Sequence, residues 1–268
     1  MAAILTVSNV RKQYDRFTLE IPHFSLNEGE IRAFVGKNGA GKTTFLKAIL
    51  NQVALDAGTI TIFNEEVDSI VAKELAGFSF NDVPIFHPNF TAKEADRVMK
   101  GIYHSWKTEI FTNLLARFTI DPVKMYSELS TGMKVKFNLA LAVSHEPKLL
   151  ILDEVTSGLD PVSRKDILVF LKEIQQTYQT AILFSTHIVE DLADIADSLT
   201  VIKEGKIVLE DQMAEISSKY YIKDPQFATD NYLLKLGNES SSDYLYKLAD
   251  EEAAAHSEIK DIIDFCLG

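Results

Sequence analysis

The stretch GKNGAGKTT, Gly36 to Thr44, separates the apolar run IRAFV from the helical pattern TTFLKAIL. Gly36, Gly41, Lys42 and Thr43 fit the spacing G-x-x-x-x-G-K-[ST], with a strand before and a helix after. Such a loop curls so that its backbone N–H groups point inward, and the helix start adds partial positive charge. Together they form a cradle for phosphate oxygens. Asn38, Gly39 and Ala40 complete the loop. Lys42 is expected to reach the β- and γ-phosphates of a nucleotide, the Thr43 hydroxyl to hold Mg²⁺, and Thr44 to touch the α-phosphate. A loop of this kind needs a strand edge on which to sit, which already points to an α/β sheet with mostly parallel strands.

The rest of the chain agrees. KLLILDE and TAILFST are continuous apolar runs flanked by helical stretches, as in a parallel sheet buried on both faces. LTVSNV and FTLEIPHFSL alternate instead, which predicts an antiparallel N-terminal portion. LTVIKEGKIVLED reads as a hairpin turning at Glu-Gly. Leu46, Ile49, Leu50 and Val53 share one face of a helix that runs through TTFLKAILNQVAL. Most of the segment from about residue 82 to 144 is helical in pattern.

Net charge is -12, which disfavours free nucleic acid as the main ligand. The single cysteine, Cys266, cannot form a disulfide within the chain and fits a reducing compartment. MAAILTVSNVRKQ lacks the pattern of a signal peptide. No run approaches the roughly 18 apolar residues that span a bilayer, so a membrane role requires a partner.

Asp153 and Glu154 stand where the strand LLILD stops. Ligands gather at the carboxyl ends of parallel strands, so both acids should face the phosphate loop. Asp153 suits a Mg²⁺ ligand, and Glu154 a base that orients an attacking water. LSTGM, Leu129 to Met133, opens another helix and offers a second anion site, or plain capping by Ser130 or Thr131.

Taken together, GKNGAGKT, LSTGM, LLILDE, SGLD and the histidine of LFSTH resemble the ATP-binding cassette of ABC transporters, in the family's order. The similarity runs over about residues 4 to 212. It implies a P-loop NTPase fold of the ABC type: a mostly parallel core, an antiparallel β-subdomain and an inserted helical subdomain at about 82–144. It divides the chain into a cassette, residues 1–214, and an acidic, mainly helical extension, residues 215–268. From Asp211 onward twelve Asp or Glu face five Lys.

The resemblance also implies a mechanism. Two cassettes face head to tail, each ATP held between one chain's phosphate loop and the other's LSTGM helix. Ser130 and Gly132 would contact the partner's γ-phosphate, and Asp160 would pass between the sites. His187 would hold the γ-phosphate and steady Glu154. An aromatic ahead of the loop stacks on adenine, here Tyr14 or, second, Phe17. The cofactors it implies are ATP and Mg²⁺. The partners it implies are a second cassette, identical or not, and an integral membrane permease that would keep this chain peripheral on the cytoplasmic face.

Three positions depart from the family pattern. Asn81 stands where a glutamine usually reaches the metal, and is one methylene shorter; it reads equally as an Asx-turn residue that ends a strand. Thr131 and Met133 replace a glycine and a glutamine. Val155 replaces a proline. The variant LSTGM resembles cassettes of Gram-positive drug and peptide-antibiotic exporters. Lys42, Asp153, Glu154 and His187 are all kept, so hydrolysis is expected. The rival readings are a cassette ATPase of DNA repair, the ribosome or iron–sulfur assembly, and a nucleotide sensor with negligible turnover. The aromatics of PIFHPNF and IYHSWKTEIF, including Trp106, are expected either to line the groove that receives a permease helix or to pack helices together. The tail helix, with Leu245, Leu248, Ile259, Ile262 and Ile263 on its apolar side, is expected to pack on its own cassette, the alternative being an extension of the dimer contact.

Overall fold

The computed structural model describes residues 2–80, 86–189, 192–223, 234–235, 244–247 and 258–268. The chain begins with β1 (Ala3–Tyr14), β2 (Phe17–Asn27) and β3 (Ile31–Val35), then the glycine loop and α1 (Lys42–Ile49). β4 (Ala57–Ile62), β5 (Glu65–Glu66), α2 (Ile70–Leu75) and β6 (Ala76–Phe80) follow. Next come α3 (Ala92–Ile102), α4 (Thr108–Arg117), a 3-10 turn at Tyr126–Glu128 and α5 (Thr131–Val143). β7 (Leu149–Asp153), α6 (Pro161–Tyr178), β8 (Ala181–Thr186), α7 (Leu192–Ile195), β9 (Ser198–Lys203) and β10 (Lys206–Gln212) complete the main sheet. Beyond it lie α8 (Met213–Lys219), β11 (Tyr220–Lys223), β12 (Leu234–Lys235), β13 (Tyr244–Lys247) and α9 (Ile259–Leu267).

The strands of the main sheet run in the order β5-β4-β1-β2-β10-β9-β3-β8-β7-β6. β9, β3, β8, β7 and β6 pair in parallel, and β1 pairs antiparallel with β2 and β4. A short parallel pairing of β10 with β2 joins the two parts. Successive side chains of a strand point to opposite faces. In β7, Leu150 and Leu152 therefore enter the core under α5 and α6, while Leu149 and Ile151 enter the core that holds Phe45 and Leu46 of α1. Both faces are apolar, which explains the unbroken aliphatic runs in the sequence.

Two expectations need correction. The helix after the glycine loop ends at Ile49, and Asn51 adopts φ 54, a left-handed conformation that asparagine tolerates. Val53 therefore lies beyond the helix. Leu245, expected on the tail helix, lies in a strand: beside α8 and α9, β11, β13 and β12 form a small antiparallel sheet. Aromatic and β-branched residues in YYIK and YLYK favour that pairing. α9 packs against β9 and buries Ile262, Ile263, Phe265 and Cys266 in the main core, with Ile259 partly buried. Leu248 lies outside the described residues. Trp106 packs on Phe111 and donates to Asp96 Oδ1 at 2.8 Å, an ordinary interior contact.

Candidate functional site

β3, β8 and β7 are neighbours, and their register aligns Val35 with Thr186 and Ser185 with Asp153. The chain leaves all three strands at one edge, so the glycine loop, the segment holding His187 and the acidic pair meet there. The loop is tightly backed. A Cβ on Gly36 would lie 2.7 Å from the Ile202 carbonyl oxygen, so no larger residue fits. Gly41 caps α1 with φ 109, and a Cβ there would lie 2.7 Å from the Phe17 ring. The Ala40 carbonyl accepts the Gly205 N–H at 2.9 Å, which ties the loop to the β9–β10 turn.

Lys42 is buried, and its ammonium occupies the middle of the loop. Nζ donates to the carbonyl oxygens of Gly36 at 2.8 Å and Lys37 at 3.3 Å, and lies 3.1 Å from Glu154 Oε1. The other carboxylate oxygen of Glu154 is 3.5 Å from Nδ1 of His187. Thr43 donates its hydroxyl to Asp153 Oδ2 at 2.7 Å. Asp153 is buried, and its second oxygen accepts the Ser185 hydroxyl. Glu154 sits at φ 50, a left-handed conformation uncommon for such a residue. Its N–H is held by the carbonyl and hydroxyl oxygens of Ser185 at 3.2 and 3.0 Å.

These residues border a cavity of about 430 Å³ lined by Gly39, Lys42, Thr43, Thr44, Asp153 and Glu154, with Asn38 and Gly41 at its wall. Gly36 and Ala40 are buried behind it. Phe17 also lines the cavity; Tyr14 does not, and its exposed ring stands 6.3 Å from that of Phe17. Asn81, expected near the metal, lies outside the described residues. Ser185 escaped sequence reasoning. The available signal was a lone serine inside the aliphatic run AILF-S-T, in register with an acid.

Ser130, Gly132 and Asp160 do not line the cavity. Ser130 is exposed at the start of α5 and caps it by accepting the Met133 N–H at 3.3 Å. Asp160 is exposed at the start of α6 and accepts the N–H groups of Val162 and Ser163. Bonds from the Ser163 side chain and then these N–H groups hold its carboxyl below the ordinary aspartate range.

The sequence profile described as ABC transporter matches residues 19–157. The chain belongs to the ABC transporter family. It is 34% identical to the uncharacterized ABC transporter ATP-binding protein YdbJ of Bacillus subtilis, over 68% of this chain and 60% of that protein. It is 30% identical to the bacitracin transport ATP-binding protein BcrA of Bacillus licheniformis, over 82% of this chain and 74% of the relative. A solved ATP-binding subunit of an ABC transporter superposes with a TM-score of 0.71 at 26% identity, covering 80% of this chain and 92% of the other. The P-loop cassette fold and the binding of ATP follow from this membership, and the chain is an ATPase subunit of the family. No helix among the described residues is long and apolar enough to cross a membrane.

Proposed function

We propose that this cassette hydrolyses ATP between two facing copies and thereby drives a separate membrane permease, in the export direction. The observation that carries the reading is the meeting of Lys42, Thr43, Asp153, Glu154 and His187 at one strand edge around a cavity. Loop N–H groups and Lys42 bind the phosphates, with Gly36, Gly41 and Gly39 giving the backbone its curl. Lys42 pairs with Glu154 at 3.1 Å, and a phosphate bound at Lys42 would take the place of that carboxylate. Glu154, once released, orients a water toward the γ-phosphorus and takes its proton. His187, already beside Glu154, holds the γ-phosphate. Phe17, with Tyr14 beside it, offers a ring to adenine.

The Thr43 and Asp153 oxygens suit a hard cation that keeps several waters and otherwise binds substrate phosphates. Thr43 and Asp153 would hold Mg²⁺, which would supply charge neutralisation to the phosphates. Asn81 is the proposed third protein ligand.

The second cassette completes the site through Ser130 and Gly132, with Asp160 between the two sites. Gly132 supports this reading. A Cβ there would meet nothing closer than 3.8 Å, so this chain's own packing does not demand glycine. Gly132 stands in the first turn of α5, and a residue without a side chain there leaves room for close approach of a ligand from outside.

The permease contact is proposed at a mostly apolar groove of about 380 Å³, lined by Leu50, Ile70, Phe78, Ile102 and Tyr103, with Gln52, Lys73 and Glu74 also on its wall. Ile70 and Ile102 are exposed there. Residues 1–214 then form the cassette, with the helical subdomain at about 82–144, and residues 215–268 an extension. The protein lies on the cytoplasmic face of the membrane through its permease. Export is proposed because BcrA, a named bacitracin transport protein, is among the relatives. Glu154→Gln should keep ATP binding and lower phosphate release by about 10²-fold or more. Native turnover in that variant overturns the assignment.

A further inference from the structure

We propose that Ser185 is the positioning residue of the hydrolytic site, setting the Asp153 carboxylate and the Glu154 backbone with one side chain. This rests on the roles given above to Asp153 and Glu154. Ser185 is fully buried in β8, in register with Asp153 of β7. Its hydroxyl hydrogen goes to Asp153 Oδ1, while Thr43 donates to Oδ2 at 2.7 Å. The carboxylate is thus spanned by two hydroxyls, one on each oxygen, and its rotation about the Cβ–Cγ bond is fixed.

The same hydroxyl oxygen also acts as an acceptor. It lies 3.0 Å from the Glu154 nitrogen, whose N–H is shared with the Ser185 carbonyl at 3.2 Å. Glu154 is the residue at φ 50, immediately after the strand ends. A glutamate is held there only if its surroundings over-determine the backbone. Two acceptors from one serine, together with the Ser157 N–H on the Glu154 carbonyl at 3.0 Å, supply that restraint. The turn then aims the Glu154 side chain back over the loop to Lys42 and His187.

Serine fits both tasks because its hydroxyl donates and accepts at once. Alanine would lose both bonds, and cysteine would keep most of the volume but bond weakly. The expected consequence is a misdirected carboxylate pair in an intact phosphate loop. Loop affinity for ATP without metal should survive, because no atom of Ser185 lines the cavity.

The test uses the full-length Ser185→Ala and Ser185→Cys variants beside Glu154→Gln. ATP affinity in excess EDTA, thermal melting, kcat, KM and the Mg²⁺ concentration for half-maximal phosphate release are measured. Substitution of residues that orient ligands typically costs about 10–100-fold in metal affinity or activity. Both serine variants should fold, bind ATP in EDTA within about 2-fold of native, lose about 10-fold or more in kcat and need about 10-fold more Mg²⁺. Native kcat with a native Mg²⁺ midpoint in either folded variant overturns the proposal. So does loss of EDTA affinity in parallel with turnover, or failure of both variants to fold, since either assigns Ser185 to packing alone. If Glu154→Gln stalls while the serine variants are native, only the positioning role fails. If Glu154→Gln turns over normally, the reading beneath it fails as well.

Discussion

Lys42→Met removes the ammonium at the centre of the phosphate loop, and its effect on stability can be worked out. Nζ lies 3.1 Å from Glu154 Oε1, a gross attraction of about 5 kcal/mol at an effective dielectric of 20. Desolvation of the buried ammonium offsets much of that. Its bonds to the Gly36 and Lys37 carbonyls, at 2.8 and 3.3 Å, are of the charged kind worth about 1.5–3 kcal/mol each before losses. Removing one partner of a buried pair typically costs about 3–5 kcal/mol. Glu154 is 24% exposed and can rehydrate, so the cost falls at or just below that lower end, about 2–3 kcal/mol. In a domain of this size that lowers Tm by about 5–10 °C. Scanning calorimetry without nucleotide reads it directly. The double variant Lys42→Met with Glu154→Gln should recover about 1 kcal/mol, because no carboxylate is left without its cation. ATP should raise the native Tm and leave that of Lys42→Met unmoved. A Lys42→Met protein melting within about 1 °C of native, or strict additivity in the double variant, would refute the electrostatic argument.

Other outcomes follow from the same geometry. Gly41→Ala should abolish ATP binding, read by equilibrium titration, since the φ of 109 is strained for alanine and Phe17 blocks the methyl. Phe17→Ala should weaken ATP affinity by about 10-fold and Tyr14→Ala by less, because Phe17 alone of the two lines the cavity. Equal losses, or a larger loss at Tyr14, would reverse that order. His145 is buried, stacks on Tyr103 and places Nε2 3.2 Å from the Ala76 carbonyl. Burial lowers its pKa to about 4, so the unfolded chain binds a proton that the folded chain refuses between about pH 6.5 and 4. Stability should therefore fall with acid across that window, by up to about 3 kcal/mol from this group. Urea melts of native and His145→Phe protein at pH 7 and 4.5 should show a shallower acid loss in the variant.

Much of this was legible in the residues. The glycine loop and the acids after LLILD are local patterns whose meeting is forced by parallel strands, so their convergence needed no coordinates. The apolar runs likewise revealed strands buried on both faces. What escaped depends on contacts far apart in the chain. Ser185 reads as an ordinary strand residue until register sets it opposite Asp153. The choice of Phe17 over Tyr14 depends on which face of a hairpin end turns toward the loop. Helix α1 was read too long because Val53 continued the apolar spacing, while the left-handed Asn51 stopped the helix. The strands of the extension were hidden by its acidic, alanine-containing surroundings, which favour helix locally.

The central claim is that ATP joins two copies and that hydrolysis releases them. Light scattering on the Glu154→Gln protein tests it most directly. With Mg²⁺ and ATP the particle should have twice the 30.0 kDa chain mass, and with ADP the single-chain mass. A single-chain mass under saturating ATP, with nucleotide demonstrably bound, would contradict the account.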